Sequence, residues 1–334
     1  TTVSVLANAP ADGQFPCLFK EKLFTVPKSD PSTIVWSNSF APETWEAVNY
    51  WDIKKGDGDI ITNLVPYLGE LTIFKRYSTH TLRGTNIDDF RYDEINSNVG
   101  CVGPRACVQD GMHLYFVADD GIYRYNGGNM ENLTLAKIPN LWSKINSEYI
   151  GNAVAGRWEG FLWFALPKDS SSFNNFVLLY DPLTGAWWPR TGLHISCLVE
   201  FNTGKETKFY SGSSLVTFPY VAEQWIGNND LGEKTTSYWK GKAYDMGNPA
   251  FLKKAKKMLV ADGNNTNDAT PSISLDYGTF QDLTYLDGDN LVRRFDCPNT
   301  WWRYFQPKLT HDVIDKSFEV RGLTLQYKAK SKAK

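Results

Sequence analysis

Paired carboxylates are the first chemistry this chain offers, because cleaving a glycosidic bond takes one carboxyl as acid and a second as base or nucleophile. Asp57/Asp59, Asp88/Asp89, Asp119/Asp120 and Asp287/Asp289 qualify by type and spacing. Each pair neighbours Gly or Asn in an apparent turn, where an Asp side chain bonds its own backbone, and the turn reading is taken for all four. Asp262-Gly263-Asn264-Asn265-Thr266-Asn267-Asp268 spaces oxygen ligands in the manner of a calcium loop. Asn267 stands where an EF-hand needs Gly, so a polar loop without metal is the expectation there.

The remaining titratable groups form no known constellation. Four histidines, His80, His113, His194 and His311, lie far apart, and the first two fall inside expected strands, where packing is their commoner role. Five cysteines, Cys17, Cys101, Cys107, Cys197 and Cys297, include no Cys-x-x-Cys pair. They read as small apolar residues in a reducing compartment. There is no phosphate-binding glycine loop, nucleophile elbow or H-E-x-x-H zinc motif. No catalytic residue, metal or cofactor is therefore expected. The aromatic doublets Trp187-Trp188 and Trp301-Trp302 are the candidate ligand-stacking or interface residues, with packing as the plainer alternative. Tyr180-Asp181-Pro182-Leu183-Thr184-Gly185-Ala186-Trp187 matches the end of a kelch blade once, without that family's preceding Gly-Gly.

These residues would have to be positioned by β-hairpins. Gly111 to Gly128 holds two runs rich in aromatic and β-branched residues around Asp119-Asp120-Gly121, closed by Asn126-Gly127. Similar units start at Glu21, Gly69, Gly160 and Gly204, giving spacings of 48, 42, 49 and 44 residues. A period of about 40 to 50 residues with several strands per unit predicts a β-propeller of five or six blades. Apolar residues three or four apart between Leu135 and Ile145 predict one short amphipathic helix over 135–149, interrupted by Pro139. From Thr235 onward strands alternate polar and apolar residues without the hairpin repeat, which predicts a separate antiparallel β-domain resembling a sandwich. The expected organisation is an N-terminal arm over 1–16, a propeller over 17–232 and a second β-domain over 233–334 with a basic tail. The domain boundary is placed in the loop 227–232.

Composition limits the partners. The chain has 334 residues, 42% of them hydrophobic and 14% aromatic, with a net charge of -2. That balance argues against tight binding of bare nucleic acid, which leaves a basic footprint. No apolar run reaches the roughly 18 residues of a membrane helix, so no stable membrane insertion is expected. The sequence starts Thr1-Thr2-Val3, as a processed product or part of a longer one would.

Several motifs in order carry a family resemblance. Val35-Trp36-Ser37, Pro42-Glu43-Thr44-Trp45, Gly58-Asp59-Ile60-Ile61-Thr62, Gly69-Glu70-Leu71-Thr72-Ile73-Phe74-Lys75, Val99-Gly100-Cys101-Val102-Gly103-Pro104 and the Gly111–Gly127 hairpin follow one another. Together they resemble the β-propeller structural proteins of tailed-phage necks and tails, the nozzle, tubular and stopper-like proteins. The resemblance implies a non-enzymatic virion protein, made in the host cytoplasm. It would form a homo-oligomeric ring, often of six copies, around the DNA-ejection channel. Its implied partners are further copies of itself, an adaptor or other tail proteins, and passing DNA held without sequence preference. Near-neutral charge suits a conduit, since each neutralised phosphate would add affinity and slow passage. Two further functions compete: a receptor- or sugar-binding propeller using the four tryptophans, and a polysaccharide-degrading enzyme with a carboxylate pair in a cleft.

Overall fold

The computed structural model describes residues 8–213, 215, 217, 219–224, 229–230, 233–234, 236–263, 269–288, 291–313 and 319–330. The chain forms two compact units, Thr1–Gln224 and Trp225–Lys334. Most of the 227–232 loop, where the sequence placed the boundary, lies outside the described residues.

Unit 1 is a β-propeller of five antiparallel sheets, spanning residues 13–52, 61–96, 107–132, 154–191 and 197–223. The first four blades are four-stranded meanders and the fifth has three described strands. The first strands are innermost and run beside one another. Gly13–Phe19 neighbours Ile61–Tyr67, and Val154–Trp158 lies between Cys107–Asp110 and Cys197–Asn202.

The sequence repeat corresponds to one structural event per blade, the turn from the innermost strand to the second. Lys20-Glu21, Leu68-Gly69 and Glu159-Gly160 are two-residue turns in which both residues have positive φ. That is the hairpin geometry whose twist matches the flanking strands. Gly111-Met112 is the corresponding two-residue turn in blade 3, with positive φ at Gly111 alone, 56°. Blade 5 uses the longer loop between Asn202 and Thr207 around Gly204.

Facing blades are joined by apolar side chains. Phe24, Ile34 and Trp36 of blade 1 pack with Leu64, Ile73 and Leu82 of blade 2. Phe74 of blade 2 meets Phe116 of blade 3 with ring centroids 4.8 Å apart, and Trp163 of blade 4 meets Phe209 of blade 5 at 5.2 Å. Each side chain of this kind contributes roughly 1.5–3 kcal/mol on full burial. Lys75 is fully buried between blades, but its ammonium donates to Asp57 at 2.6 Å and to the Ile53 and Lys54 carbonyls. Burial pushes the Asp57 carboxyl up, and the Lys75 hydrogen bond and charge outweigh it, leaving that group below the usual carboxylate range.

Two sequence expectations need correction. The arm read over 1–16 is shorter, since residues 13–16 already belong to the inner strand of blade 1. Gly13 and Pro16 obscured that strand, and a register shift between Gln14 and Cys17 accommodates the proline. The helix read over 135–149 is a single turn, Pro139–Trp142. Its periodicity reports packing instead, because Ile138, Leu141, Trp142 and Ile145 all lean on the core shared by blades 2 to 4.

His80 is fully buried within the Thr79–Arg83 strand, its Nε2 paired with Ser78 Oγ at 2.9 Å and Nδ1 with the Tyr92 hydroxyl at 2.8 Å. Burial lowers its pKa to about 4. Glu94 and Asp57 oppose that shift, while Lys75 and Lys54 reinforce it. Between the ordinary value of 6.5 and about 4 the unfolded chain binds a proton that the folded one does not, so stability falls as pH falls through that window. Urea unfolding should show unit 1 losing on the order of 3 kcal/mol across it. His80→Gln should remove most of that pH dependence; an unchanged profile in the variant would assign it elsewhere.

Unit 2 is antiparallel throughout. One sheet orders the strands Ser237–Lys240, Phe305–His311, Thr270–Leu275 and Gln281–Asp282. The other builds on Lys253–Asp262, which pairs along one edge with Val320–Ala329 and along the other with Val292–Asp296 and Trp301–Trp302. Met258, Val260, Ile273, Phe295, Trp302 and Phe305 fill its core.

Candidate functional site

Most carboxylates of the pairs prominent in the sequence are occupied by structural roles. Asp59 accepts the backbone N–H groups of Ile60, Arg76 and Tyr77. Asp89 accepts those of Thr85 and Asn86, which hold its carboxyl below the usual range. Asp119 takes both arms of the Arg76 guanidinium, Asp120 accepts the Tyr123 hydroxyl and Asp287 pairs with Arg294. Asp289 lies outside the described residues. Both Asp262 oxygens are taken by Arg293 Nε and one terminal guanidinium nitrogen at 2.6 and 2.8 Å. The first carboxylate of the calcium-like loop is therefore already engaged, and residues 264–268 are not described. Among the described residues no three His, Cys, Asp or Glu side chains could hold a metal ion. All five cysteines are free. Burial pushes the Cys17, Cys101 and Cys297 thiols up to about 12, so these are packing groups rather than nucleophiles.

The tryptophan doublets divide as strand geometry requires, since successive side chains point to opposite faces. Trp187 is half-buried against Tyr180, with ring centroids 4.5 Å apart, and also reaches Phe164. Trp188 is 44% exposed and meets Phe161 edge-on. Trp302 is fully buried beside Phe305, whereas Trp301 is 40% exposed. Trp302 therefore cannot meet a ligand in the folded protein, and Trp187 spends its ring on blade packing. In the kelch-like stretch, Asp181 caps the turn by accepting from the Leu183 N–H and the Thr184 hydroxyl.

A different group of residues converges at the ends of three consecutive inner strands. Asp110 ends the inner strand of blade 3, Arg157 lies one residue from the end of blade 4's, and Glu200 lies in blade 5's. Arg157 donates one terminal N–H to Asp110 Oδ1 at 2.9 Å, and its Nε lies 3.6 Å from Glu200 Oε1. The Asp110 hydrogen bond and the Glu200 charge hold the guanidinium more firmly protonated than usual. Close approach of these strands depends on Gly156, where an added Cβ would lie 3.0 Å from Leu198 Cβ. Phe209 sits directly across the ladder from Glu200 and carries Trp158 stacked on it, interplanar angle 6°. Trp158 follows Arg157 directly, so its indole points to the other face of the strand, onto Phe209. The cluster presents acceptors and donors together, as recognition of a polyhydroxylated ring requires.

Sequence reasoning missed this cluster because its members are scattered along the chain, one per blade. The signal was the repeat itself: Asp110, Arg157 and Glu200 each fall within a few residues before the turn glycines Gly111, Gly160 and Gly204. Unit 2 also has a cleft of about 390 Å³ between its sheets, lined by apolar groups including Trp239, Tyr244, Met258 and Leu323. Its lining includes no carboxylate, histidine, lysine or arginine, which leaves the blade-end cluster as the stronger candidate.

No family profile matches this chain, and no curated protein does. Among solved structures, it is similar to an exo-β-1,3-galactanase from Phanerochaete chrysosporium at 8% identity, covering 96% of this chain and 100% of that one, with a TM-score of 0.34. The extracellular domain of a one-component system from B. thetaiotaomicron aligns at 10% identity over 94% of this chain and 43% of that one, TM-score 0.44. A bifunctional GH43-CE protein of Bacteroides eggerthii aligns at 10% identity over 97% and 60%, TM-score 0.35. The expectation of a non-enzymatic tail or neck conduit is corrected here. The compared structures are glycoside hydrolases and a sensor domain, with no tail protein among them, so neither the conduit nor the absence of activity is carried forward.

Proposed function

We propose that this chain is a sugar-active β-propeller that recognises a carbohydrate at the Asp110–Arg157–Glu200 cluster. The observation that carries the reading is the guanidinium held between two carboxylates from neighbouring inner strands. Sugar hydroxyls both donate and accept, so a carboxylate–guanidinium–carboxylate array can satisfy several of them at once. In the free protein the guanidinium satisfies both carboxylates, which keeps the array arranged before ligand arrives and lowers the ordering cost of binding.

Affinity electrophoresis and calorimetry against neutral oligosaccharides test this, beginning with β-1,3-galactotriose, the ligand of one compared galactanase structure. Arg157→Leu and Glu200→Gln should each weaken binding about tenfold or more, the cost of removing a charged hydrogen-bonding partner. Release of reducing ends is measured in the same samples, and its loss in Asp110→Asn or Glu200→Gln would assign turnover to these carboxylates. A glycan that binds equally well to both binding variants would remove the proposal.

A further inference from the structure

The two units differ in charge. Unit 1 carries 18 Lys and Arg against 24 Asp and Glu, and unit 2 carries 17 against 13. The positive excess therefore lies in unit 2, and part of it is gathered on one sheet face. Trp301 stands opposite Lys254 in the ladder, and Lys254 stands opposite Lys328 on its other side. Three adjacent strands thus place an indole and two lysines in one row. Lys330 follows Lys328 by two residues, which returns it to the same side of an extended chain. The Lys254 and Lys330 ammonium groups lie 5.8 and 5.9 Å from the Trp301 ring centroid.

Beyond the contacts of Lys254 and Lys330 with the Trp301 ring, two features of this row are left unsatisfied by the fold. Like charges directly opposite one another weaken a sheet, so the Lys254–Lys328 pair is unfavourable in the free protein. Yet among the described residues none of Lys254, Lys328 and Lys330 has a carboxylate at ion-pair distance. Trp301 also keeps 40% of its surface exposed, while its neighbour Trp302 supplies the packing. An anion seated between the lysines would relieve the repulsion, and a flat ring would cover the indole.

The geometry points to a binding site for an acidic polysaccharide, a uronate polymer, with one sugar ring on Trp301 and its neighbours' carboxylates among Lys254, Lys328 and Lys330. A uronate chain repeats ring and carboxylate at every unit, which this alternation of one indole and flanking ammonium groups matches. Single-stranded nucleic acid fits less well, because its binders stack successive bases on successive aromatics. The next aromatic here, Tyr327, faces the other way, toward Trp302. The site is independent of the blade-end cluster and does not rest on the propeller reading.

The test uses the full chain in calorimetric titrations with oligogalacturonate, oligoglucuronate, neutral β-1,3-galactotriose and oligothymidylate. A uronate oligomer should bind, and binding should weaken as salt rises. Trp301→Ala and the double variant Lys254→Gln/Lys328→Gln should each cost about tenfold in affinity, while Arg157→Leu should leave it unchanged. Melting curves of these surface variants check that unit 2 stays folded, and Trp301→Tyr should restore part of the binding. No binding by either uronate overturns the inference, as does uronate binding that ignores both variants. Equal binding of the neutral sugar at this face also overturns it, and tighter binding of oligothymidylate would assign the face to nucleic acid.

Discussion

Asp262→Ala should destabilise unit 2 by about 3–5 kcal/mol, the cost of breaking a buried ion pair. Asp262 and Arg293 have side chains 1% and 5% exposed, and the guanidinium meets both carboxylate oxygens. It also donates to the Ala269 carbonyl at 2.9 Å and lies over the Phe295 ring. Removing the carboxylate leaves the cation in the same apolar surroundings without its bidentate partner. A buried pair need not be favourable in itself, because desolvation offsets most of the attraction. The double variant Asp262→Leu/Arg293→Met should therefore be far closer to the parent than the single one. Chemical denaturation followed by the fluorescence of unit 2 checks both. A single variant within about 1 kcal/mol of the parent would show that water reaches the site and that the pair is not buried in solution.

The second large effect separates the members of one doublet. Trp302→Ala should cost about 3–5 kcal/mol, since it empties the largest fully buried site of unit 2. Trp301→Ala should cost under about 1 kcal/mol, because its ring is largely a surface group. Trp302→Phe should be tolerated better than the alanine variant. The indole N–H of Trp302 finds no acceptor among the described residues, so losing it removes no hydrogen bond. Denaturant midpoints of the three variants give the ordering. Equal costs for Trp301→Ala and Trp302→Ala would contradict the assignment of one ring to the core and the other to the surface.

How much of this was legible beforehand follows from what each residue depends on. The turns at Glu21, Gly69, Gly111 and Gly160 are local: two-residue turns with one or both residues at positive φ between β-prone runs announce themselves, and they set the blade period. The fourth strand of each blade and the inner strand at Gly13 were harder, because edge position, proline and bulges dilute the alternation of strand residues. The segment Leu135–Ile145 misled because helical spacing and irregular packing against a core can present the same apolar residues. The doublets looked alike in sequence, and only strand pairing decides which indole turns inward. Asp110, Arg157 and Glu200 carry no local signature at all. Their meeting depends on three inner strands lying side by side, so a period of five turns predicted the scaffold but not which side chains it brings together.

The central claim concerns a place as much as a ligand, so locating a bound oligosaccharide tests it most directly. A structure of the full chain with a saturating neutral oligosaccharide should put a sugar ring at this cluster, with hydroxyls hydrogen-bonded to Asp110, Arg157 and Glu200. Sugar density elsewhere on unit 1, for example on Trp188, with the Arg157 cluster unchanged, would contradict the account.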